Sequence, residues 1–247
     1  MWPEIIVIAS AVAVLLLDLF VNEKKRVLLG PLAAIGLAAA FAALIFLTPK
    51  DGSVLGGRFA MDAVAWWFKV IFIISGLVTV LVSIDLLDGR VGVRVRGIGS
   101  RGEYYSVLLF TISGMMYIAS SRDLITLYVS LELATIPLFV LAAWRRDNTE
   151  SGEAGLKYVL IGAMASAFIL YGLGILYGLT GTTDLALLKQ ALTPSLALWL
   201  AIAMIVAGIG FKLTVVPFHM WAADVYQGAS RPARTAQASR PGGPEDH

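Results

Sequence analysis

Between short charged connections the chain consists of apolar runs, each about as long as a helix needs to cross the roughly 30 Å of bilayer hydrocarbon, about 20 residues. On that ruler the runs fall near 4 to 22, 27 to 48, 62 to 84, 104 to 120, 123 to 144, 154 to 180 and 196 to 223. They are continuous and lack the ten-residue alternation of a barrel strand. Helices are therefore predicted, because only a helix satisfies its backbone groups within one continuous segment. The expected fold is all-α, a multi-pass transmembrane helical bundle of about seven spans. Composition agrees: 58% of residues are hydrophobic and 15% charged, against about 25% charged in ordinary soluble domains.

Orientation follows from the connections. Lys24, Lys25 and Arg26, then Arg90, Arg94, Arg96 and Arg101, then Arg145 and Arg146 fall in the first, third and fifth, whereas the second, fourth and sixth hold only Lys50, Arg58, Arg122 and Lys189. The positive-inside rule puts the odd connections in the cytoplasm and the N-terminus on the non-cytoplasmic side of the cell's inner membrane. Met1-Trp2-Pro3-Glu4 lacks the basic flank and cleavage site of a signal peptide, so the first span is expected to persist in the mature protein.

Several function classes fall away. There is no cysteine, and His219 and His247 are the only histidines. Thiolate metal sites, iron–sulfur clusters and bis-histidine haem are accordingly not expected, and no cofactor is expected in this chain. A net charge of +2, without basic residues interleaved with aromatics, argues against nucleic acid. Gly97-Ile98-Gly99-Ser100-Arg101-Gly102 fits G-x-G-x-x-G, but an apolar span follows it and no second strand completes a nucleotide-binding unit. It reads as a basic loop.

What remains are ionisable residues inside the spans. A charge at the centre of a bilayer costs roughly 2.5 to 3.5 kcal/mol on insertion scales, so each is a functional suspect. Glu132 lies ninth in the run from Leu124, too deep to reach water, and a carboxylate between burial and a cation can load and release a proton. Lys212 sits in an apolar run among Gly208, Gly210 and Pro217, residues that suggest a broken helix lining a polar path. Lys157 stands near the start of its run, where snorkelling and function are equally open. A rise of about 1.5 Å per residue puts Glu132 deeper by roughly 12 Å, so spacing forces no direct pair between them. His219, seven residues after Lys212, shares its face if the helix is unbroken. Asp18 and Asp62, near segment ends, are expected to face water or a neighbouring subunit, and Lys69 is unranked. Gly174 and Gly178, or Ala163 and Ala167, have the spacing of close helix packing, read as ordinary.

The stretch GIGFKLTVVPFHMWAADVYQGA, residues 208 to 229, resembles the antiporter-like membrane subunits of proton-pumping NADH:quinone oxidoreductase, respiratory complex I, and its ending is most like the subunit N branch. Glu132 in LYVSLELATIPLFVLAAW and Lys157 in EAGLKYVLIGAMASA match the glutamate of that family's fifth helix and the lysine of its sixth, and Lys212 matches the lysine of its broken seventh. The resemblance implies that these residues and His219 belong to a proton relay driven by redox chemistry elsewhere, Glu132 modulating Lys157. It implies as partners the lipid bilayer and other membrane-arm subunits of complex I, with NADH and quinone bound by other subunits. Family members continue after YQGA with further helices. Here an Arg/Pro-rich sequence begins at Ser230, which is read as a truncation or a shift of reading frame. Residues 1 to 229 are then the N-terminal half of an antiporter-like domain, and 230 to 247 a disordered tail. The alternatives are a subunit of a multi-component sodium/proton antiporter and a fragment with only an assembly role.

Overall fold

The computed structural model describes residues 1–46, 52–87, 101–144 and 149–228. The tail from Ser230, the glycines of the loop motif at 97 and 99, and the basic residues Lys50, Arg90, Arg94, Arg96, Arg145 and Arg146 lie outside the described residues. The helices are α1 Trp2–Phe20, α2 Leu29–Phe46, α3 Ala63–Leu87, α4 Arg101–Ser120, α5 Leu124–Ala142, α6 Thr149–Thr180, α7 Leu185–Ala191, α8 Leu196–Lys212 and α9 Met220–Gly228. A 3₁₀ turn, Glu23–Leu28, joins α1 to α2. An antiparallel hairpin of β1 Gly52–Val54 and β2 Phe59–Met61, with Ser53 opposite Ala60, joins α2 to α3.

Among the described residues five helices are long and apolar enough to cross a membrane: α1, α2 with the turn before it, α3, α5 and α6. The two other expected spans depart from that pattern for physical reasons. Helix α4 is long enough but richer in polar residues, because it runs through the middle of the first four helices rather than against lipid. Its Ser106, Thr111 and Ser113 are buried, and Ser106 Oγ donates to the Ala11 carbonyl of α1 at 2.8 Å. Hydroxyls of this kind join helices where lipid supplies no hydrophobic force between them. The last run is interrupted as expected: α8 has 17 residues, the chain leaves the helix after Lys212, and α9 begins only at Met220.

Two apolar cores result. Val7, Val14, Leu37, Leu44, Ile73, Val80, Leu109 and Ile112 fill the space within α1 to α4. Leu124, Ile169, Leu173, Leu176, Leu188 and Ala201 fill a second between α5 and α8. The short α7, absent from the sequence expectations, contributes Leu188. Glycines set the closest approaches. A Cβ on Gly114 of α4 would lie 2.3 Å from Ala134 N of α5, and one on Gly208 of α8 would lie 2.6 Å from the Ala165 carbonyl of α6. Gly174 and Gly178 have nothing within 4 Å, and Ala163 and Ala167 are exposed. The four-residue spacing noted in the sequence therefore faces outward, and other small residues form the contacts. Outward-facing Leu16, Phe20, Phe46, Ile71, Val82 and Leu196 are exposed, as suits a surface meant for lipid.

One end of the bundle is tied together. Arg122 N donates to the Arg58 carbonyl at 2.8 Å, Leu124 N to Thr183 O at 2.8 Å and Leu185 N to Arg122 O at 3.1 Å. Asp62 pairs with Arg122. Asp123 caps α5 by accepting from Ile125 N and Thr126 N, and its other oxygen accepts from the Thr183 hydroxyl. The second, fourth and sixth connections thus share one face of the bundle, the hairpin face. Asp18, expected to face water or another subunit, is instead buried: the 3₁₀ turn brings Arg26 to 3.3 Å from it, and the backbone of Gly102 packs against its side chain.

Candidate functional site at the helix break

Helix α8 ends on Lys212 because the next residues cannot continue it. Leu213 N still bonds back to Ile209 O at 2.8 Å, but Thr214 adopts a positive φ of 54° and Pro217 has no N–H to donate. Phe218 folds back until its ring is 4.4 Å from that of Phe211. Only glycine at 210 leaves room for it, since a Cβ there would lie 2.8 Å from the Phe218 ring. The break presents the last-turn lysine at the negative end of the helix dipole, which favours a cation.

Lys212 Nζ donates to Glu132 Oε1 of α5 at 3.0 Å and to Thr135 Oγ1 at 2.9 Å. The Thr135 hydroxyl gives its own proton to the Leu131 carbonyl at 2.9 Å, which leaves its oxygen free to accept. Ser166 Oγ of α6 donates to the same Glu132 oxygen at 2.7 Å. Side chains from two other helices thus converge on one carboxylate oxygen of α5, with Glu132 17% and Lys212 10% exposed. A cleft of about 20 Å³ borders Lys212 between Thr135, Phe139, Tyr158 and Trp221. The Tyr158 and Trp221 rings stack at 5.1 Å, and the Trp221 indole N–H, buried and without a hydrogen-bond partner among the described residues, borders the same cleft. One water needs roughly 10 to 15 Å³ and two or more polar partners, so the cleft suits a single water.

Of the four residues singled out from the sequence, the fold joins two. Lys157 is 43% exposed and pairs with Glu153 one turn away at 2.8 Å, a pairing along α6 itself. His219 is exposed: the seven-residue spacing that would align it with Lys212 assumes an unbroken helix, and the chain leaves the helix between them. Ser166 and Thr135 escaped the sequence reading because hydroxyls are common in apolar helices. Pro137 lies within α5, five residues after Glu132.

A second buried ion pair was not foreseen. Lys69 of α3 contacts Glu4 of α1, each only 1% exposed. Lys69 carried a signal, a lysine inside an apolar run. Glu4 carried none, because an acid at the start of a helix is ordinary. Among the described residues no cluster of His, Cys, Asp and Glu could hold a metal ion.

Residues 121–236 match the family model described as NADH:quinone oxidoreductase/Mrp antiporter, transmembrane. The chain is 40% identical over 242 residues to NADH-quinone oxidoreductase subunit N of Sphingopyxis alaskensis, covering 97% of this chain and 49% of the relative. It is 41% identical over 232 residues to the subunit N of Moorella thermoacetica, covering 93% and 47%. Among solved structures, respiratory complex I from Thermus thermophilus with bound aureothin superposes with a TM-score of 0.74 at 34% identity, over 93% of this chain and 48% of that one. The Mrp complex from Dietzia sp. gives 0.63 at 22% identity, over 93% and 44%, a likeness of fold. The chain spans about half the length of the curated relatives it matches.

Proposed function

Since the chain belongs to the transmembrane family shared by NADH:quinone oxidoreductases and Mrp antiporters, we propose that it forms part of a proton-translocating membrane subunit of NADH:quinone oxidoreductase, with Glu132 and Lys212 as its central proton-carrying pair. One observation carries this reading: a carboxylate and an ammonium 3.0 Å apart at a helix break, inside spans where either charge alone is costly. Lys212 donates two of its three N–H groups to protein oxygens, and the single-water cleft beside it gives the third a route for a proton. Movement of a proton from Lys212 to that water leaves Glu132 facing a neutral amine. Its attraction for the next proton then rises, which is the electrostatic coupling a relay needs. Lys157, partly exposed on α6, would pass protons between this pair and the basic face of the bundle, which faces the cytoplasm in this reading. Electron transfer, NADH and quinone would reside in partner subunits, which drive the relay by changing charge nearby.

The experiment is to place Glu132→Gln, Lys157→Met and Lys212→Met separately in the native complex and to follow proton uptake by inverted membrane vesicles during NADH oxidation. Lys212→Met is expected to reduce pumping most. Unchanged pumping in all three variants at normal NADH oxidation would remove the basis of the reading. Co-purification with quinone-reductase subunits separates it from a sodium/proton antiporter, which needs no NADH.

A further inference from the structure

Lys69 is the largest fully buried side chain among the described residues, and beyond Glu4 its ammonium has one further contact, the Met61 thioether at 3.6 Å, a weak acceptor. A pair that served only to hold α1 against α3 would be matched or bettered by apolar residues of similar volume. The surroundings are also open. A cleft of about 390 Å³ borders Glu4 and Lys69, lined by the hairpin strands and by Tyr117 and Ser120 of α4. It exceeds many times over the roughly 10 to 15 Å³ one water requires.

Two buried polar atoms beside it have no hydrogen-bond partner among the described residues, Glu4 Oε2 and Ser120 Oγ. The Met1 ammonium approaches Glu4 Oε2 at 3.4 Å without hydrogen-bond geometry. Buried polar groups are nearly always satisfied by protein or by ordered water, and a carboxylate oxygen carries the largest penalty when it is not. The cleft shares no lining residue with the one beside Lys212.

We propose that Glu4 and Lys69 form a second proton-exchange site, wetted through the cleft under the β1–β2 hairpin and separate from the Glu132–Lys212 pair. A hydronium in the cleft gives its proton to Glu4 Oε2, leaving water and a neutral carboxyl, and the Glu4–Lys69 pair changes from net zero to +1. The reverse step returns the proton to the cleft. Among the described residues the ionisable groups that face this exchange are Lys69 from α3, Tyr117 from α4 and the Met1 ammonium. The site is independent of what drives Lys212, and its exchange is with the water on the hairpin face alone.

The absence of native cysteine allows a direct test in the intact chain in its own membranes. S120C is labelled with a charged, membrane-impermeant thiol reagent added to one side of sealed vesicles at a time, then purified and weighed. Because the thiolate reacts only where water reaches it, S120C should label roughly tenfold or more faster than A40C, which is fully buried in the first core, and from the hairpin side only. An acid-induced infrared band of a protonated carboxyl should appear in the parent chain and be missing in Glu4→Gln. Failure of folded S120C to label from the hairpin side, when the denatured protein labels fully, overturns the proposal. So does a Glu4→Gln infrared difference spectrum identical to that of the parent. S120C is nearly isosteric with serine, so the labelling arm stands even where Glu4→Gln folds poorly.

Discussion

The bond between Lys212 and Glu132 can be measured by a double-mutant cycle. At 3.0 Å and an effective dielectric near 20, opposite charges attract by about 5 kcal/mol, but desolvation of both groups offsets much of this. Glu132→Gln keeps the shape and an acceptor for Ser166 while removing the charge. The Ser166 hydrogen bond then becomes a neutral one and Lys212 donates to an uncharged amide oxygen, a loss of about 1 to 2 kcal/mol. Lys212→Met keeps the apolar stem but leaves Glu132 with Ser166 as its remaining hydrogen-bond donor in the site. Because each single change strands the other charge, the double variant should be less destabilised than the sum of the two, with a coupling of about 1 to 3 kcal/mol. The assay is reversible unfolding of the four proteins in nanodiscs by titration with denaturing detergent. Additivity within about 0.5 kcal/mol would show that the two groups do not interact energetically, and the geometry would then be no basis for a relay.

Thr135→Val, which is close in shape, removes one of Lys212's two oxygen acceptors and should cost about 1 to 2 kcal/mol in the same unfolding assay. Gly208→Val should separate α8 from α6 by pushing against Ala165 and Ile169, costing several kcal/mol, whereas Gly174→Ala, on open space in the same bundle, should stabilise α6 by about 0.5 to 1 kcal/mol. A thermal melt of both variants distinguishes these opposite signs. Asp123→Ala removes the cap of α5 and the tie to Thr183, and should lower stability by about 1 to 2 kcal/mol, with faster hydrogen exchange at Ile125 and Thr126.

Some of this was open to inspection of the chain alone, and the boundary has a physical cause. Lipid acts on composition: a run of 20 apolar residues crosses, and a charge inside one is costly, whichever neighbours the fold supplies. The helical class, the interruption after Lys212 and the choice of Glu132 and Lys212 therefore followed from local sequence. Span counting was less secure for α4, because its hydroxyls are hidden by other helices, and a helix that meets no lipid is released from lipid's compositional demand.

Partner choice was beyond the sequence. Glu132 and Lys212 stand 80 residues apart, and Glu4 and Lys69 lie on helices separated by α2 and a hairpin. Contact between them depends on how far each helix is rotated and shifted against the next, and close approaches that no spacing rule singled out contribute to this, at Gly114 and Gly208 around α5, α6 and α8 and at Gly36 and Gly76 around α1 to α4. Lys157 pairs along its own helix with Glu153, and the break after Lys212 leaves His219 exposed. Sequence determined which residues could not be left unpaired in hydrocarbon; the tertiary structure decided which of them meet, because side-chain reach is a few ångströms and only the register between helices brings distant groups within it.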